Sequence, residues 1–360
     1  MEPINTYQSI LIVKLDHIGD MILTTPVFEA VKKRYPDCFL GVLCSSMGSL
    51  ALRNNPYIDK IWIYDAEMFD KHGTNDRQSK LRDLESVLDI RKRRFDVCIG
   101  LREDHENVPI LSMLGAKKTI SYTRDTVYPY LLDETTEHIG GKHEALANFD
   151  LLSLIDVPMP EKVVPHLYPS SDDLRWADAL LKGYSVGEHD LLLGLSPGGG
   201  WFLNWWPWER FAELCNRLLR HDPRIRIVVF GGQAEKELFS RIQSAIPSQL
   251  VNAVGKGSVQ QTSALMRRTR CVIANDGGPM HMATASETTV VAMFGPSPVW
   301  FFPVGEQHRV IRRAFPCSPC PQFVAGQKPS CKNNRCMKAI SVDEVFQTVV
   351  EVIEPYRAGS

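Results

Sequence analysis

Residues 9–15 (SILIVKL) form an unbroken apolar run rich in β-branched side chains, with no polar alternation. That pattern fits a parallel strand buried on both faces. A polar turn follows at residues 16–20. A helical stretch then runs to about residue 34, with Pro26 near its first turns and Val27, Ala30 and Val31 on one face. Further strands are predicted at 39–44, 58–64, 96–101 and 119–122, with a charged amphipathic helix at 81–95. The second half repeats the alternation. Strands are predicted at 191–195, 225–230, 271–274 and 289–294, and helices at 207–220, 235–246 and 262–269, with another opening over 279–285. Ser341 and Glu344 make a capping box that starts a terminal helix.

Strands separated by helices imply right-handed crossovers and parallel sheets covered on both faces. The predicted class is α/β, with two Rossmann-like domains. Their expected limits are 1–170, a linker at 171–190, a second domain at 191–340 and a C-terminal helix at 341–360; the connection falls in a stretch rich in Pro, Ser and Asp over about 158–188, with one helical stretch at 173–181. A length of 360 residues suits two cores rather than one. Ligands belong at the carboxyl ends of such strands.

Composition removes some classes. Lys plus Arg number 41 against 42 Asp plus Glu, so the basic excess of a nucleic-acid binder is missing. No apolar run reaches the roughly 18 residues that span a bilayer, and the first residues lack a signal-peptide pattern. The expected location is the cytoplasm, with peripheral contact at the inner face of the membrane left open. Cys38, Cys44, Cys98, Cys215 and Cys271 are scattered, as reduced, buried apolar residues would be.

Three segments carry candidate chemistry. The turn Lys14-Leu15-Asp16-His17-Ile18-Gly19-Asp20 closes the first strand and opens the first helix; Asp20 suits either a helix cap or a general base. Asn275-Asp276-Gly277-Gly278-Pro279-Met280-His281 joins a strand to a helix. Its glycines leave backbone N–H groups free at a helix start, which is a site for a diphosphate or merely a tight turn. The run Ser196-Pro197-Gly198-Gly199-Gly200-Trp201, followed by Asn204-Trp205-Trp206-Pro207, lets backbone approach phosphate. Its tryptophans should pack on a sugar, a base or the other domain.

Together these segments resemble the heptosyltransferase family, glycosyltransferase family nine. The likeness runs in order through residues 9–36, Asn55-Pro56-Tyr57-Ile58-Asp59, the glycine loop with Trp206-Pro207-Trp208-Glu209-Arg210-Phe211, Phe230-Gly231-Gly232, residues 275–281 and Phe294-Gly295-Pro296. Residues 123–190 match least. The resemblance implies a GT-B fold with a cleft between two Rossmann-like domains. It implies inverting transfer, without a catalytic metal, from ADP-L-glycero-β-D-manno-heptose to a hydroxyl of the lipopolysaccharide inner core. Asp20 falls on the family's general base. Asp276, Gly277, Gly278 and His281 fall on its diphosphate site, with Gly198 and Gly199 in the glycine loop. Glu235 falls near the ribose contact, and the segment holding Lys256 and Gly257 falls along the adenine. His17 and Arg102 are candidate contacts to a glycolipid or glycan acceptor. One departure stands out: relatives carry a lysine where this chain has Asn204, so the leaving diphosphate lacks a cation. Lys256, Arg312 and Arg313 are candidate replacements.

Cys317, Cys320, Cys331 and Cys336 cluster late, and the first pair has metal-knuckle spacing. The expectation is structural zinc or iron, with Lys328, Lys332 and Arg335 offsetting thiolate charge; four reduced thiols are the other reading. Relatives that glycosylate protein are associated with iron there. Other functions left open are a different nucleotide sugar, protein glycosylation, and a nucleotide-sugar binder with weak catalysis. An NAD-dependent dehydrogenase is disfavoured, because the first turn lacks Gly-x-Gly-x-x-Gly.

Overall fold

The computed structural model describes residues 7–65, 77–102, 107–123, 128–137, 140–324, 327 and 329–357. The chain divides into two compact units, Met1–Pro165 and His166–Ser360. The first holds β1 (Ser9–Lys14), β2 (Phe39–Cys44), β3 (Lys60–Ile63), β4 (Val97–Gly100), β5 (Thr119–Thr123) and β6 (Glu134–Glu137). They form one parallel sheet in the order β3-β2-β1-β4-β5-β6. The second holds β7 (Leu191–Ser196), β8 (Ile225–Val229), β9 (Val251–Asn252), β10 (Cys271–Asn275), β11 (Thr289–Phe294) and β12 (Arg309–Arg312), ordered β12-β11-β10-β7-β8-β9. Counted from its own first strand, each unit has the same doubly wound order. The topology reverses beside β1 and β4 in one unit and beside β7 and β10 in the other, and those are the positions where open α/β sheets take ligands.

The central strands form because nearly every side chain along them is apolar and buried; Ile10 to Val13 and Val272 to Ala274 have no exposed surface. In the first unit Trp62 and Phe95 pack edge to face, 5.9 Å between centroids, over Gly41. In the second, Trp206 is fully buried. It meets Phe211 edge to face at 5.0 Å, and its indole N–H donates to the Ile340 carbonyl. The expectation that the loop tryptophans reach a sugar or the other domain therefore fails for Trp206, which is core of its own unit.

The first helix, Ile18–Arg34, contains Pro26, which has no N–H for the Ile22 carbonyl. The Thr25 hydroxyl donates to that carbonyl instead, at 2.7 Å. The helical stretch expected at 173–181 within the connecting segment is the helix Ser171–Gly183, opened by a Ser170–Asp173 capping box. This helix packs on Val259–Met266 within the second unit. The terminal helix Val342–Arg357 packs there too, against Trp208–His221. No helix among the described residues is long and apolar enough to cross a membrane. The five scattered cysteines are all buried, as expected.

Candidate functional site

The sequence-predicted residues gather at the two switch points. In the first unit, β1 ends in Lys14 and β4 leads to Arg102. The Lys14 ammonium is buried; it donates to the Leu101 carbonyl at 3.0 Å and to Glu144 Oε1 at 2.8 Å. Glu144 opens the helix Glu144–Leu152. Asp16 lies 3.6 Å from Lys14 and 3.3 Å from Arg102, whose guanidinium also donates to the Leu15 carbonyl. The Asp16 backbone is pinned in turn, because its carbonyl accepts the Ser45 hydroxyl. Carboxylate oxygens of Asp16 and Asp20 and a ring nitrogen of His17 lie within 4.8 Å of one another. His17 occupies the cap position of the first helix and is exposed. Asp20 stands inside the first turn, so the capping alternative for it does not hold.

These contacts split the two carboxyls. Desolvation opposes the charge on Asp16, yet the hydrogen bond from His17 and the charges of Lys14 and Arg102 hold it below the usual carboxylate range. Asp20 is pushed up to about 7 by desolvation first and then by the Asp16 charge, with Glu144 adding and Lys14 opposing. Lys14 is raised despite its burial, through Glu144, Asp16 and Asp20.

In the second unit the loops after β7 and β10 touch through bare backbone. Gly199 (φ +155°) and Gly277 (φ +157°) occupy conformations that side chains rarely adopt. A Cβ on Gly277 would lie 3.9 Å from the Gly199 Cα. The helix Gly278–Ala285 starts here with Pro279 in its first turn. Pro279 has no N–H and the Met280 N–H donates to the Gly277 carbonyl at 3.0 Å, so the donors here that suit an anion are the N–H groups of Gly277 and Gly278. The Asn275 amide donates to the Pro197 and Gly198 carbonyls at 2.7 and 3.3 Å, and its oxygen accepts the Trp206 N–H at 3.1 Å. Asn204 is buried, and its amide donates to the Asp276 carboxylate at 2.9 Å. The Ser297 hydroxyl lies 3.5 Å from the Asn204 side-chain oxygen. Desolvation pushes the Asp276 carboxyl up to about 6, partly opposed by hydrogen bonds from Ser297 and Asn204. His281 is buried one turn into the helix. Glu235 lies under the glycine loop: a Cβ on Gly198 would be 2.5 Å from its Cγ, and its carboxylate accepts the Gly232 N–H at 2.7 Å.

The candidate replacement cations are engaged elsewhere. Arg313 pairs with Glu344 at 2.9 Å, Arg312 donates to Ser318 at 3.1 Å, and Lys256 lies 3.3 Å from the Tyr184 hydroxyl. Gly257 abuts Trp176. The late cysteines share one lobe against the turn after β11. Cys320 N–H donates to the Pro296 carbonyl, and Cys336 Sγ lies 2.9 Å from where a Gly295 Cβ would be. Among the described residues no three of their sulfurs approach to within 4.8 Å of one another. Cys317 and Cys331 are exposed and Cys336 is buried. Lys328 lies outside the described residues.

The sequence reading placed Lys14 in the candidate turn without giving it a role, and it missed Glu144 and Ser297. A lysine closing an otherwise apolar strand was a usable signal for Lys14; Glu144, 130 residues away, offered none.

The fold is shared with solved glycosyltransferases. A family 9 glycosyl transferase from Veillonella parvula superposes with a TM-score of 0.82 at 22% identity, over 98% of this chain and 99% of that one. The ADP-heptose lps heptosyltransferase II of E. coli superposes with a TM-score of 0.75 at 17% identity, over 97% and 99%. An iron-containing dodecameric glycosyltransferase from E. coli, TibC, reaches 0.57 at 13% identity, over 98% and 77%. Two doubly wound sheets of this kind make the GT-B fold. The profile of glycosyltransferase family 9 (heptosyltransferase) matches residues 87–329, and the chain belongs to that family. It is an enzyme of glycosyl transfer. Lipopolysaccharide heptosyltransferase 2 of Salmonella typhimurium is 24% identical over 318 residues, covering 84% of this chain and 87% of its own.

Proposed function

We propose that this enzyme moves heptose from ADP-L-glycero-β-D-manno-heptose to a hydroxyl of the lipopolysaccharide inner core, with inversion at the anomeric carbon. The observation that carries the reading is Asp20, a carboxyl at the β1 switch point whose proton affinity has been raised to about 7. A base of that strength is half-ionised near neutral pH and strong enough to accept a hydroxyl proton in a transition state. The acceptor oxygen forms a bond to the anomeric carbon, the bond to the diphosphate breaks, and the hydroxyl proton passes to Asp20. The departing ADP gains negative charge, which the N–H groups of Gly277 and Gly278 and the helix start stabilise. Asp276, His281, Gly198, Gly199 and Glu235 complete the donor site, with Lys256 and Gly257 beside the base. His17 and Arg102 face the acceptor, a lipid-anchored glycan met peripherally at the membrane. The names of the relatives support both donor and acceptor.

Asn204 favours a second reading, transfer from a different nucleotide sugar. A lysine there would neutralise phosphate; the amide spends its donor on Asp276. Calorimetry across nucleotide sugars decides between the two: binding of ADP-heptose alone supports the first, and preference for another sugar supports the second. Asp20→Ala should lower turnover by about 100-fold or more while donor binding survives; near-normal turnover would remove Asp20 from the mechanism.

The four late cysteines match structural zinc or iron in donor chemistry and share one lobe, but their sulfurs would have to draw together to bind an ion; the iron in TibC supports the reading. They would hold the ion as thiolates that tie the lobe together. Metal analysis of the purified protein tests it: a folded, active, metal-free preparation leaves four plain thiols.

A further inference from the structure

Taking Asp20 as the base of the proposed reaction, we propose that Asp16 is its positioning residue: a carboxylate held permanently ionised, whose charge sets the pH above which Asp20 can accept a proton. Three carboxyls, Asp16, Asp20 and Glu144, share this corner of the first unit with two cations, Lys14 and Arg102. Both cations make their ion pairs with the first and third: Arg102 with Asp16 at 3.3 Å, and Lys14 with Glu144 at 2.8 Å and Asp16 at 3.6 Å. With those four groups charged the cluster is neutral. Ionising Asp20 adds a surplus negative charge within 4.8 Å of the Asp16 carboxylate.

Two carboxyls this close do not ionise independently, and the one with dedicated cations gives up its proton first. Asp16 is that one, and its placement is overdetermined. Its side chain meets Lys14 from β1 and Arg102 from beyond β4. Its carbonyl is fixed by Ser45, and the His17 N–H caps its carboxylate at 3.2 Å. From the helix packed alongside, the one charged group facing in that we identify is Glu144, which adds repulsion toward Asp20. His17 contributes from the same turn. Asp16 touches no reacting atom in this scheme; it acts through Asp20.

The test compares pH profiles of kcat/KM for wild type, Asp16→Asn, Asp16→Glu and Arg102→Gln, with a parallel 13C-NMR titration of aspartate-labelled protein. The Asp20 signal is assigned by its loss in Asp20→Asn. With the acid limb near 7, wild type at pH 5.5 should retain about 3% of its plateau. Asp16→Asn should shift that limb down by at least about one unit, raising the fraction to about 24% or more. Asp16→Glu should return it toward wild type. Arg102→Gln removes a cation and should move the limb the other way, to higher pH. The Arg102 arm also serves if Asp16→Asn does not fold. A uniform loss of rate in Asp16→Asn, with the limb and the Asp20 titration unmoved, overturns the proposal. The two readings fail separately. Normal turnover in Asp20→Asn removes the base assignment, while the NMR titration in Asp16→Asn still tests the carboxyl pair.

Discussion

Replacing Asp276 by Asn should make the ligand-free protein more stable at pH 7.5 and leave its stability unchanged near pH 4. The Asp276 carboxyl is buried, and its proton affinity in the folded chain is raised from 3.8 to about 6. Folding therefore favours the protonated form. Below about pH 4 the carboxyl is protonated in both states and its contribution is fully present. Between about 4 and 6 the unfolded chain has lost the proton that the folded chain keeps, so stability falls as pH rises. Above 6 the folded protein carries a desolvated carboxylate that Ser297 and Asn204 satisfy only in part. A shift of about two units corresponds to about 3 kcal/mol, an upper figure for this one group. Asparagine is nearly isosteric, accepts the Asn204 amide through its own oxygen, and never ionises. Calorimetric melting of both proteins at pH 4 and 7.5 isolates the effect, since every other titrating group cancels in the difference. For a unit of this size the gain at pH 7.5 is at most about 6 to 12 °C in Tm. Donor transfer should fall, because the carboxylate is part of the proposed donor site. An equal Tm difference at both pH values would refute the reasoning.

Three further outcomes follow from the packing. Gly198→Ala sets a methyl 2.5 Å from Glu235 Cγ and must displace that side chain from its bond to Gly232; ADP affinity measured by calorimetry should drop by about 5- to 150-fold, from an overpacking cost of about 1–3 kcal/mol. Gly41→Ala drives a Cβ to 2.6 Å from the buried Trp62 ring and should cost about 1–3 kcal/mol in urea unfolding, whereas Gly183→Ala meets nothing within 4 Å and should be neutral or slightly stabilising. Asn275→Ala strands the Trp206 N–H and the Pro197 carbonyl in the interior and should cost about 2–4 kcal/mol; a loss under about 0.5 kcal/mol would show that those groups find other partners.

Much of this fold could be read from apolar runs because its sheets are parallel and buried on both faces, so strands such as residues 9–15 announce themselves without alternation. Turn chemistry was legible too, since Gly277 and Gly199 are glycines at conformations that need them. The two-residue β9 carries too little pattern to find, and β6, with alternating half-exposure at the sheet edge, lies in charged sequence. The helix predicted at 262–269 begins at Val259 instead, because Ser258 and Gln261 form a capping box whose spacing was there to be noticed. Trp206 was misread since an indole N–H can be satisfied by a carbonyl 134 residues away, which no local rule anticipates. The Lys14–Glu144 contact escaped for the same reason.

Asn275 ties both ends of the glycine loop, Pro197–Gly198 and Trp206, to the end of β10. A stretch with three consecutive glycines would ordinarily be slack, and ordering it on a ligand would consume affinity. Clasped at both ends by one amide, the loop is already a closed buckle, and the turn after β10 is its pin. Substrate release from this half of the protein then calls for the two segments to travel as a single piece, or for that amide to let go.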